Sequence, residues 1–146
     1  MSYNTEFEIK LIPHGSVSPK INYGINDQVA GTALELSVPM ILRFNLDFEK
    51  GPQTVFIEFF NKTNNTPDTA LEIDSVTFEG IAVERFKWAG VYYPNYPEPW
   101  ASSQTDLPAS RPSMTYLGWN GRWELTFDTP IFQWIHRLEH LGWIYD

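Results

Sequence analysis

Between Asn61 and Gly80 the chain reads Asn-Lys-Thr-Asn-Asn-Thr-Pro-Asp-Thr-Ala-Leu-Glu-Ile-Asp-Ser-Val-Thr-Phe-Glu-Gly, an oxygen-rich stretch that runs directly into an apolar alternation. Asn61, Asn64, Asn65, Asp68 and Asp74 supply the amide and carboxylate oxygens that a hard cation such as Ca²⁺ gathers six to eight at a time. The same residue types build ordinary solvated turns, so a hairpin turn is the competing reading. Within the apolar part the phase changes: Leu71 and Ile73 are odd, Val76 and Phe78 even. One strand with one buried face cannot do this without an extra residue, which predicts a β-bulge near Asp74-Ser75 that re-aims Asp74. Asp68 and Asp74, completed by Asn61 or backbone carbonyls, are the candidate metal ligands.

Aromatic residues form the second constellation. Tyr92, Tyr93, Tyr96 and Trp100 alternate with prolines in a stretch over 91–112 that has no helical or strand period. Flat, partly polar rings of this kind stack on sugar rings or dock protein partners, or simply cover the end of a fold. A long loop in a compact domain is usually functional or mobile. Farther on, Asn120-Gly121 is a type I′ turn signal. A two-residue hairpin there pairs Gly118 with Trp123 and puts Met114, Tyr116, Gly118, Trp123, Leu125 and Phe127 on one inward side, with room for the indole over Gly118. It puts Leu117 and Trp119, beside Arg122, on the solvent face. Tyr96, Trp100 and Trp119 are therefore the candidate carbohydrate platforms.

Catalytic groupings are weaker. His136-Arg-Leu-Glu-His140 has the H-x-x-E-H spacing, yet both histidines lie opposite the apolar face of the predicted helix and no acidic partner follows. There is no cysteine and no G-x-S-x-G, and His14 sits before a Gly15-Ser16 turn. Glu58 with Glu72, or Asp74 with Glu79, are the acid pairs that glycoside hydrolysis would need. The expectation is a chain that is not an enzyme.

The elements that must position these groups are mostly strands. Alternating or continuous apolar runs at Phe7–Leu11, Lys20–Tyr23, Ala33–Val38, Met40–Phe48 and Thr54–Phe60, separated by turns, predict an all-β fold: an antiparallel jelly-roll β-sandwich. Asp128 or Thr129 is expected to cap one short C-terminal helix over 130–141, with Ile131, Trp134, Ile135, Leu138 and Leu141 as its apolar face. The 146 residues suit a single domain, 1–146, with no internal repeat. A formal charge of −8 without a basic cluster argues against nucleic acid as a partner. No apolar run reaches membrane-spanning length, and the first residues lack the pattern of a signal peptide.

The 50–82 region resembles the calcium-dependent xylan-binding carbohydrate-binding modules, in which an Asn-Asp pair, a loop, and Asp-Arg-Asn-Leu-x-Val-Asp-x-Ile precede a glycine. Asn61, Asp68, Leu71, Ile73, Asp74, Val76 and Gly80 occupy comparable places, with Thr69-Ala70 where that family has Arg-Asn. The resemblance implies a jelly roll, a Ca²⁺ ion and a polysaccharide or glycan partner. The segment from Ser113 to Ile135 is similar to small proteins of marine tailed phages, which implies a virion setting or release by lysis. Two functions follow: a non-catalytic carbohydrate-binding module, or a virion structural or assembly module of the same fold without a sugar site. Protein partners would dock through the aromatic loop.

Overall fold

In the computed structural model, which describes residues 2–139, the chain forms β1 (Tyr3–His14), β2 (Lys20–Ile25), β3 (Gln28–Glu35), β4 (Met40–Phe48), β5 (Gly51–Phe59), β6 (Ala70–Phe78) and β7 (Ile81–Ala82). There follow α1 (Glu84–Trp88), β8 (Val91–Pro94), a 3-10 turn at Ala101–Ser103, β9 (Arg111–Pro112), β10 (Tyr116–Leu117), β11 (Gly121–Thr129) and α2 (Ile131–Leu138). One sheet has the order β10-β6-β1-β4, with β7 also on β6; the other has β3-β2-β5-β11-β8-β9. All pairings are antiparallel, giving the two-sheet sandwich that the periodicity predicts.

The strands form where alternation lets one face be buried. Phe7, Ile9 and Leu11 of β1, Val55, Ile57 and Phe59 of β5, and Trp123, Leu125 and Phe127 of β11 all point into one hydrophobic cluster drawn from both sheets. Aromatic rings fill its lower half: Phe78 meets Phe7, Phe127, Phe86 and Trp134 at centroid distances of 5.3, 4.9, 5.2 and 5.4 Å. Phe7 stacks on Phe78 while the other three meet it edge-to-face, both arrangements that suit the ring quadrupoles. β5 is apolar on both faces because it is a central strand, and its outward Phe56 lies under the Arg122 guanidinium, 4.0 Å from the ring centroid.

The bulge is present. Lys10 faces Ser75 and Leu11 faces Ile73, so Asp74 has no partner on β1. Leu71, Ile73, Val76 and Phe78 are all buried as a result. The β2–β3 turn lies at Asn26 and Asp27, which adopt φ of 50° and 64°, a left-handed conformation that short polar side chains tolerate.

Three local expectations are corrected. Asn120-Gly121 does not make a hairpin: β10 pairs with β6 and β11 with β5 and β8, so the chain steps from one sheet to the other there. β11 keeps its predicted inward residues, but in β10 the parity is reversed, with Leu117 buried and Tyr116 exposed. Second, neither Asp128 nor Thr129 caps α2. Thr129 ends β11 with its hydroxyl donating to the Glu49 carbonyl at 2.5 Å, and the Asp128 carboxylate accepts from Arg137 Nη2 at 2.7 Å; Pro130 takes the N-cap place. Leu141 and His140 lie outside the described residues. Third, the 91–112 stretch is not loop throughout, because its two ends pair as β8 and β9 at a sheet edge, Val91 with Pro112 and Tyr92 with Arg111.

Candidate functional site

Four connections meet at one end of the sandwich, where β1 passes to β2, β5 to β6, β8 to β9 and β10 to β11. They carry Asn61, Asp68, Tyr96, Trp100 and Trp119, five of the six predicted site residues. Asp74 is elsewhere. It lies four strand positions beyond Ala70 on β6, about 13 Å along an extended chain. There its carboxylate faces Lys10 Nζ at 3.9 Å, and its carbonyl accepts from Lys87 Nζ at 3.1 Å.

The oxygens of Asn61 and Asp68 hold loops together. Asn61 Oδ1 accepts from the Lys20 amide at 2.7 Å, while its Nδ2 donates to the Ser18 carbonyl at 3.0 Å. Asp68 Oδ2 accepts from the Ser16 amide at 3.0 Å, and Oδ1 from the Ser16 hydroxyl at 3.3 Å. Asn120 does the same for the 118–120 step, accepting from the Lys62 amide and donating to the Lys62 carbonyl, both at 2.8 Å. Asp68, Asp74 and Asn61 thus do not gather round one point. Among the described residues no group of three or more His, Asp or Glu side chains is placed to hold a metal ion.

Lys62 is the charged centre of this end. It is almost fully buried, its Nζ donates to the Gly118 carbonyl at 2.6 Å, and it sits 5.4 Å from the centroid of the Trp119 ring. Desolvation holds its ammonium below the usual lysine range, against the opposing pull of Asp68. Trp119 is therefore half-buried and propped on a cation, not displayed on a hairpin. Tyr92 supports the same turn from below. Its hydroxyl donates to the Trp119 carbonyl, and burial pushes the phenol up from 10.0 to about 12.

The loop over 95–110 is pinned on one side and open on the other. The Asn95 amide donates to the Asn120 carbonyl at 2.8 Å, and the Tyr96 hydroxyl donates to the Pro108 carbonyl at 2.6 Å. The Arg111 guanidinium covers the Tyr96 ring at 5.9 Å, its Nε donating to the same hydroxyl at 3.3 Å. Trp100 is 48% exposed, and its ring lies 6.2 Å from that of Tyr96 at 47°. A fixed Tyr and an open Trp side by side make a surface suited to a flat apolar ligand face.

The possible acid pairs separate. Glu58 faces outward from the β5 sheet and Glu72 outward from the β6 sheet, on opposite sides of the sandwich. Glu79 Oε1 accepts from the Glu6 amide at 2.9 Å. His14 ends β1, with Nε2 2.9 Å from Glu72 Oε1 and its ring 5.4 Å from that of Tyr116. Sequence reasoning named Tyr93 among the loop aromatics but passed over Lys62 and Arg111 as site residues. Nothing local marks a lysine that will be buried beside a tryptophan.

No family model and no curated protein sequence matches the chain. Its fold is similar to that of a solved structure, the selenomethionine form of vCBM60, described with a circular permutation that links two families of calcium-dependent carbohydrate-binding modules. The two superpose with a TM-score of 0.53 and 9% identity, over 83% of this chain and 89% of that one. The β-sandwich of this chain is thus one that a calcium-dependent carbohydrate-binding module also adopts.

Proposed function

We propose that the protein is a non-catalytic carbohydrate-binding module whose sugar platform is the loop end of the sandwich. One observation carries this: Trp100 stands open to solvent beside a Tyr96 ring whose orientation is fixed by Arg111 and Pro108. An exposed indole costs the fold the chance to bury a large apolar group, and a pinned neighbour limits the entropy lost on binding. Trp119 and Lys62 give the end a second, stiffer aromatic wall. The likeness of the fold to a carbohydrate-binding module supports the same reading.

The platform works without a cation. Asp68 and Asn61 already accept hydrogen bonds from neighbouring loops, and Asp74 is too far along β6 to join them. A glycan array comparing the native chain with Trp100→Ala tests the proposal. Binding that disappears in the variant, with the melting temperature unchanged, is the expected result. A blank array for the native chain rejects it in favour of a structural or assembly role.

A further inference from the structure

The outward face of the larger sheet carries an ordered row that the loop end does not use. Strand register aligns Asn22 with Glu58, Glu58 with Arg122, and Arg122 with Tyr93, so four adjacent strands each place one polar or aromatic side chain on this face in a single line. At the usual strand spacing the row is about 14 Å long. Asn22 Nδ2 donates to Glu58 Oε1 at 3.2 Å, Arg122 lies flat on Phe56, and its Nε donates to Glu124 Oε2 at 3.2 Å. Tyr93 is 42% exposed. Beside Arg122 and Glu124 the face is hollowed into a cleft of about 290 Å³, whose far wall is Asn26, Asp27 and Thr54.

The chemistry of the row selects its occupant. Amide, carboxylate, guanidinium and phenol alternate, so neither a polyanion nor a polycation finds matching charge along it, while a neutral polymer bearing many hydroxyls finds both donors and acceptors. The aromatic member lies at one end, two residues before Asn95, where the 95–110 loop begins. The row therefore ends at the strand from which the loop carrying Tyr96 and Trp100 departs.

We propose that this face extends the binding surface, so that a linear neutral polysaccharide is held along its length, from the loop platform across Tyr93 and Arg122 to the Glu124 cleft. This rests on the carbohydrate-binding reading above. It requires affinity to grow with chain length, because a short oligomer fills the platform alone and a long one adds the row.

The test is calorimetry with β-1,4-linked xylose and glucose oligomers of two and six units, on the native chain, Tyr93→Ala, Glu124→Gln and Trp100→Ala. Tyr93 and Glu124 lie outside the core, and unfolding curves confirm that the variants fold. The expected result is a hexamer that binds about tenfold or more tighter than the dimer, a gain removed by Tyr93→Ala and reduced by Glu124→Gln, with dimer affinity unchanged within about twofold. Trp100→Ala should weaken both. Equal affinity for both lengths, or a gain untouched by Tyr93→Ala, overturns the extended surface and leaves the platform standing. Absence of binding by every oligomer, together with a blank array, removes the platform reading and the extension with it.

Discussion

A Cβ added to Gly90 would come within 2.4 Å of Nε1 and Cε2 of the Trp123 indole, the largest fully buried side chain in the core. The backbone after α1 and the indole of β11 therefore share a contact that only glycine permits. Gly90→Ala should destabilise the fold by ~1–3 kcal/mol, as overpacking does. Gly118→Ala should change stability by less than about 0.5 kcal/mol, since a Cβ there meets nothing closer than 3.8 Å. Urea unfolding of the two variants separates the packing seen here from a hairpin in which Gly118 accommodates the indole.

The bulge makes residue count matter more than residue identity at Asp74. Its carboxylate is more than one-third exposed and 3.9 Å from an exposed lysine, so Asp74→Ala should cost no more than about 0.5 kcal/mol. Deleting Asp74 should abolish cooperative unfolding. Without the extra residue, either Leu71 and Ile73 or Val76 and Phe78 must turn to solvent. Circular dichroism and a urea titration of the two variants read the contrast directly.

Millimolar Ca²⁺ or EDTA should shift the melting temperature by less than about 1 °C, whereas a cation held at a hundredfold its Kd would add ~2.7 kcal/mol. The reason is geometric: the donors at this end are engaged with Ser16, Ser18 and Lys20. Asp68→Ala should instead lower stability by about 1–2 kcal/mol with or without Ca²⁺, because it frees the Ser16 amide. A stability increment that needs both Ca²⁺ and Asp68 would contradict this.

Alkaline stability should report on Tyr92. Its folded pKa of about 12 lies above the unfolded value of 10.0, so the folded state keeps the proton longer. The stabilisation is complete below pH 10 and is lost as pH rises towards 12. Tyr92→Phe should lose about 1 kcal/mol at neutral pH, from the hydrogen bond to Trp119, and show a shallower decline between pH 10 and pH 12. Chemical unfolding at pH 8 and pH 11 supplies the comparison.

Periodicity made much of the architecture readable. β1, β4, β5 and β11 announced themselves because their alternation is the packing requirement itself, and the bulge was legible because a parity change has few other causes. The step at Asn120 was not legible. The same dipeptide that suits a tight hairpin also suits a bridge between sheets, and only the competition of β6 for Leu117 and of β5 for Trp123 decides between them. The loop-borne residues Tyr96 and Trp100 stood out by composition, but their support by Arg111 and Pro108 depends on where β8 and β9 pair.

Among the described strands, only β2–β3, β6–β7 and β8–β9 are joined within a sheet; every other connection crosses between sheets. The two layers are thus stitched repeatedly by one thread, and neither can peel away while the other stays intact. Amide hydrogens in the middles of β1, β5, β6 and β11 should accordingly exchange with one common protection, set by global opening. A surface that presents loops from both layers at one end inherits that unity, so its shape is as durable as the whole fold.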